Sequence, residues 1–188
     1  MKTAFLDVDT QLDFVNPSGA LYVPGSERIV PAVARLNAYA VEAGMPLIST
    51  VDAHAEDDIE FKTWPPHCIA GTLGQRKPAA TMVGQTIAGK QTVDVFLSQE
   101  VREAIAAVGA EHFVVYGVVT EICVAYAVKG LLRLGKRVTI VEDAIAALDE
   151  QAGAAAVAEA RRNGAQVATA ASLCTADLGP RQDFEVAP

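Results

Sequence analysis

Short apolar runs of strand length alternate with longer segments of helical period along most of this chain, and that alternation restricts the fold more than any other feature. Thr3–Asp9, Pro46–Val51, His112–Val119, Arg137–Glu142 and Gln166–Ala170 read as strands. The valine-rich run at His112–Val119 suits a strand buried on both faces. Ser26 stands where it could cap a helix reaching Glu42, with Ile29, Val33, Leu36 and Ala40 on one face and Gly44 as its stop. Pro31 moves the expected start of regular helix toward Val30. Ser98–Val108, Thr120–Leu134 and the alanine-rich Glu150–Asn163 read as further helices. The stretch Asp52–Gln91, with Pro65, Pro66, Pro78 and several glycines, reads mostly as loop. One short strand is expected in or beside it, near Thr81–Val83 or Gln91–Val95, and the residues after Ala170 read as a surface tail. Strands and helices in this order imply right-handed crossovers. The expected fold is therefore a three-layer α/β/α domain spanning residues 1–188, with a mostly parallel, roughly six-stranded sheet.

The 188 residues suffice for one continuous core, and 51% of them are hydrophobic. A net charge of −8 argues against a broad nucleic-acid surface, which needs clustered Lys and Arg, and against an anionic membrane surface. The chain runs from Met1 directly into a strand and holds no apolar stretch long enough for a bilayer, so neither a signal peptide nor a membrane span is expected. Cys68, Cys123 and Cys174 form no CxxC pair, and a reducing, cytoplasmic setting is the simpler expectation. The small-residue helix at Ala152–Ala160 leaves open whether it packs on its own sheet or on a second copy of the chain.

Ligands in open α/β sheets bind outside the carboxyl ends of the strands. Polar residues interrupt the apolar pattern at those ends: Asp9 after the first strand, Asp52 and His54 after the second, Thr120 and Cys123 after the valine-rich one. Cys123 falls in the first turn of the expected helix, where free N–H groups and the helix dipole favour a thiolate. A thiolate is a nucleophile suited to amide cleavage, although a lone cysteine is more often structural. Asp9 in a dry site beside a cation could accept a proton, and it could equally be a strand-end turn former. Lys90, if buried, would stabilise both anions; most lysines are solvated. Asp52-Ala53-His54, followed by Glu60 and by His67 after Trp64-Pro65-Pro66, groups carboxylate and imidazole in one loop, a donor set that suits zinc, iron or manganese. Asp7 and Asp13 read as structural, Asp13 as a local turn or cap residue, and His112 and Cys174 carry no functional reading.

Four segments in order resemble the nicotinamidases and isochorismatase-like hydrolases. Asp9-Thr10-Gln11-Leu12-Asp13-Phe14 is similar to their D-x-Q-x-D-F opening, and Asp52-Ala53-His54 with Trp64-Pro65-Pro66-His67-Cys68, Gly71-Thr72 and Gly74 resembles the nicotinamidase metal loop. Lys90 with Phe96 resembles their lysine segment, and Gly117-Val118-Val119-Thr120-Glu121-Ile122-Cys123-Val124 is similar to their G-V-x-T-x-x-C-V motif. The resemblance implies Cys123 as nucleophile, Asp9 as general base and Lys90 as the cation between them. It implies an oxyanion hole from the amides of Val119 and Cys123 beside a cis peptide at Val118–Val119, and a substrate ring held between Phe14 and Trp64. It implies one divalent transition metal, zinc first, on Asp52, His54 and His67. Ala53 and Ala55 replace the Trp and Pro common after the metal-loop aspartate, and Asp58 sits near the place of a further family histidine. Glu60 resembles a variant in which glutamate supplies the fourth ligand. The implied activity is deamidation of nicotinamide, with amidases of pyrazinamide-like, ureidoacrylate or carbamoyl substrates as alternatives and a non-catalytic homologue as the rival from another class.

Overall fold

The computed structural model describes residues 1–175. Six strands form one sheet: β1 (Thr3–Val8), β2 (Leu47–Asp52), β3 (Thr86–Lys90), β4 (His112–Val118), β5 (Arg137–Ala146) and β6 (Gln166–Ala168). Their order is β3-β2-β1-β4-β5-β6, and every neighbouring pair is parallel. The helices are α1 (Leu12–Val15, a single turn), α2 (Val30–Glu42), α3 (Gln99–Val108), α4 (Ala125–Arg133), α5 (Glu150–Arg162) and α6 (Ala170–Thr175).

Side chains of a strand point alternately to its two faces, so the central strands feed two cores. Ala4, Leu6, Val8, Phe113 and Val115 pack with Val101 and Ile105 of α3 and Ala127, Val128 and Leu131 of α4. Phe5, Val114, Tyr116 and Val118 pack with Val33, Leu36 and Ala40 of α2 and Leu173 of α6. Helices thus cover both faces, and the expected three-layer α/β/α architecture with a six-stranded sheet is the observed one.

Local differences from the sequence reading have physical causes. Ser26 does not cap α2: its hydroxyl donates to the Phe14 carbonyl, and Ser26–Ile29 forms a tight 3₁₀ turn before regular helix begins at Val30. The short strand lies at Thr86–Lys90, between the two expected places. It is an edge strand with only two buried residues, Ala88 and Lys90, so no alternation marks it. Part of the expected tail is helical, as α6; its remainder, residues 176–188, lies outside the described residues. Asp7 is fully buried, and its carboxylate accepts from Thr10, Asn37, Ser49 and, at 3.1 Å, the Lys77 ammonium. Among the described residues no helix is long and apolar enough to cross a membrane.

Candidate active site and metal centre

The strand order reverses between β1 and β4, the place where a parallel sheet opens a crevice at its carboxyl end. Asp9 follows β1 there and the Cys123 turn follows β4. Asp9 adopts a left-handed backbone, φ 50°, which turns the chain out of the sheet; aspartate tolerates this conformation better than most residues. Gly117 makes the neighbouring approach possible. Its φ is 119°, and a Cβ there would lie 2.0 Å from the Val8 carbonyl oxygen. The peptide between Val118 and Val119 is cis. Thr120–Val124 then forms a wide π turn, with Ala125 N–H donating to the Thr120 carbonyl, before α4 begins.

Lys90 ends β3 and reaches under this turn. Its ammonium lies 2.9 Å from Asp9 Oδ2, 2.5 Å from Asp52 Oδ1 and 3.7 Å from Cys123 Sγ. The other Asp9 oxygen accepts from the Thr50 hydroxyl at 2.6 Å, and the Asp9 carboxylate is near enough to raise the proton affinity of the Cys123 thiol. Asp9 is fully buried, and Lys90, Asp52 and Cys123 nearly so. Burial pulls Lys90 downward, but the charges of Asp9, Cys123 and Asp52 together raise it well above its ordinary value, so it stays an ammonium. Burial pushes the Cys123 thiol up; Lys90 opposes this, while Asp9 and Asp52 add to it. Desolvation thus outweighs the nearby positive charge and favours the protonated thiol, against the pull expected from a helix start.

Asp52 joins two clusters. Its Oδ1 faces Lys90, and its Oδ2 lies 3.9 Å from His54 Nε2 and 4.0 Å from His67 Nε2. Burial, together with the Asp9 charge, raises the Asp52 carboxyl to about 7 against the pull of Lys90 and His54. The ligand atoms of Asp52, His54 and His67 all lie within 4.8 Å of one another. His54 Nδ1 contacts the Asp58 carboxylate at 3.0 Å, and His67 Nδ1 donates to the Pro65 carbonyl at 2.8 Å. Both imidazoles are thereby held with Nε2 toward Asp52, and the buried His54 Nε2 has no hydrogen-bond partner. Outer bonds of this kind orient histidines that ligate metals. Two neutral imidazoles and a carboxylate fit a divalent transition ion. Burial also lowers His67, which keeps it a neutral donor.

The structure brings Asp9, Lys90, Cys123, Asp52, His54 and His67 into one buried group. The Phe14 ring lies 5.4 Å from the His67 ring, and Trp64 is half-buried on the same loop as His67. Glu60 stands outside the three-residue cluster; its amide donates to Asp58, and its charge reaches His67. Asp58, noted in the sequence only for its place near a further family histidine, holds an imidazole, and two more contributors, Phe61 and Asp13, exceed the sequence reading. Asp58 contacts His54 directly, and Phe61 packs on both imidazole rings at 5.4 and 5.7 Å. Asp13 is more than a local turn residue: its carboxylate also accepts the Cys68 N–H at 2.7 Å, fifty-five positions away, beside His67. Cys68 has φ 45°, and no local pattern announces a left-handed cysteine.

A six-stranded parallel sheet of this order between two helical layers, with carboxylate, ammonium and thiol gathered at its reversal point, defines a three-layer α/β/α hydrolase domain of the isochorismatase-like fold. The isochorismatase domain matches residues 3–172, and the chain belongs to that family. It is 26% identical to the zinc-bound pyrazinamidase of Pyrococcus horikoshii, over 90% of this chain and 99% of that one, with a TM-score of 0.84. It is 25% identical to the N-carbamoylsarcosine amidase of Thermoplasma acidophilum, over 90% and 97% of the two chains, with a TM-score of 0.80. A probable inactive nicotinamidase of Arabidopsis thaliana is 25% identical over 181 residues, 89% of this chain and 92% of that protein.

Proposed function

We propose that this chain is a metal-dependent cysteine amidohydrolase that converts nicotinamide to nicotinate and ammonia in the cytoplasm. The observation that carries the reading is Lys90, buried between Asp9, Asp52 and Cys123, with the far oxygen of Asp52 turned to two imidazoles. Asp9 takes the thiol proton as Cys123 Sγ attacks the carboxamide carbon. Lys90 holds the two anionic groups in place, which offsets the high proton affinity of the buried thiol. The amides of Val119 and Cys123 receive the developing oxyanion. Asp9 returns the proton to the leaving nitrogen, ammonia departs, and a thioester remains on Cys123. Asp9 then takes a proton from water as the water oxygen bonds to the acyl carbon, the carbon–sulfur bond breaks to free the carboxylic acid, and Asp9 returns the proton to Cys123 Sγ. Phe14 and Trp64 hold the ring. Asp52, His54 and His67, with Glu60 as the fourth candidate ligand, would hold the ion, zinc before iron or manganese, which supplies a fixed positive charge that orients a heteroaromatic ring nitrogen.

A related amidase acting on another small amide is the second reading, supported by the likeness to a carbamoylsarcosine amidase. The test is ammonia release from a panel of amides, including nicotinamide and pyrazinamide, with and without chelator. Cys123→Ala should abolish turnover while nicotinamide still binds. Release from a carbamoyl substrate alone would favour the second reading, and release from none would leave a non-catalytic homologue.

A further inference from the structure

Gln11 lies in the turn after β1, is fully buried, and has no part in the chemistry above. The pairing of β1 with β2 ends at Val8 and Thr50, because Asp9 turns the chain away. Asp52, two residues further along β2, would therefore meet no strand on that side. The Gln11 side chain stands in for one. Its Oε1 accepts the Asp52 N–H at 2.7 Å, and its Nε2 donates to the Asp52 carbonyl at 2.8 Å. The second N–H of the same amide donates to the Gln75 carbonyl at 2.8 Å. A primary amide offers two donors and an acceptor, and here both donors and the acceptor are used. The adjoining backbone continues the junction, with Leu12 N–H on the Arg76 carbonyl and Asp13 N–H on the Gly74 carbonyl.

This clasp holds the one residue whose two carboxylate oxygens serve different clusters. A rotation of the Asp52 backbone would move Oδ1 away from Lys90 and Oδ2 away from the imidazoles together. We propose that Gln11 is the positioning residue that sets Asp52 for metal binding, an inference that rests on the metal-dependent reading of the site. Bonds to backbone satisfied by a side chain are expensive to lose, since both the Asp52 N–H and its carbonyl would be left buried and unpaired.

The experiment measures the zinc dissociation constant of metal-stripped protein by competition with a chromophoric chelator, on variants whose fold is checked by circular dichroism. Gln11→Met keeps the length and removes every polar contact; its affinity should fall about 10- to 100-fold, as for loss of an outer partner of a metal ligand. Gln11→Asn keeps the amide one methylene short, should fall between, and carries the test if Gln11→Met does not fold. Tyr116→Phe removes the buried hydrogen bond from β4 to Asn37 of α2 and controls for general loosening; its zinc affinity should match that of the unaltered protein. Unaltered affinity in a folded Gln11 variant, or an equal loss in Tyr116→Phe, overturns the assignment alone. Failure of the unaltered protein to take up zinc overturns the metal reading and the assignment with it.

Discussion

Lys90→Met is the most informative single change, because it removes a cation from between two buried carboxylates while leaving a side chain of similar length. Lys90 Nζ lies 2.9 Å from Asp9 and 2.5 Å from Asp52, and both partners are almost completely buried. Removing one partner of a buried pair typically costs about 3–5 kcal/mol, because the remaining charge has neither water nor counter-ion. Here two anions lose the same cation, which places the effect toward the upper part of that range. It is capped by protonation: the Asp52 carboxyl already sits near 7 with Lys90 present, and without it would take up a proton. Urea unfolding of metal-stripped protein, with a slope of about 2 kcal/mol per M, converts the loss into a midpoint shift of roughly 1.5–2.5 M. Adding Asp52→Asn should restore part of that shift, since the two residues are in contact and their effects cannot be additive. Amidase activity should vanish in the single variant. A midpoint within about 0.5 M of the unaltered protein would mean that Lys90 does not compensate these charges, and the proposed site electrostatics would be wrong.

Asp58→Ala frees His54 Nδ1 and should weaken zinc binding about 10- to 100-fold, whereas Glu60→Ala should do so only if its carboxylate joins the three clustered ligands; chelator competition compares the two. Gly117→Ala should prevent soluble folding, since the new Cβ would stand 2.0 Å from a backbone oxygen, a clash added to the roughly 1–3 kcal/mol of a left-handed side chain; a normal thermal midpoint would contradict this. Burial, with Arg137 nearby, lowers His112 below its ordinary 6.5, so the unfolded chain protonates first and stability falls as pH drops below about 6.5. His112→Gln should flatten that fall by up to about 1.4 kcal/mol per pH unit, read from urea midpoints between roughly pH 5 and 6.5; parallel curves would exclude His112 as the source.

What the sequence determined by itself was whatever local pattern encodes. Alternating apolar runs place side chains on two faces and bury β4 completely, so the layered parallel sheet followed from periodicity. Asp9, Asp52, His54 and Cys123 interrupt that periodicity at strand ends, where polar residues must have a use or a partner, and so they stood out. Only the tertiary structure decided the rest. The position of β3 depends on pairing with β2 and not on its own weak pattern, and with it the depth of Lys90 under the Cys123 turn. Whether Cys123 rests as thiol or thiolate depends on how much water its neighbours exclude, which no spacing encodes. The roles of Gln11, Asp13 and Asp58 rest on bonds to backbone or imidazole atoms brought near by register and loop closure. A side chain that satisfies a distant backbone group is chosen by geometry across the fold, so its residue type carries no local signal until the strands are in place.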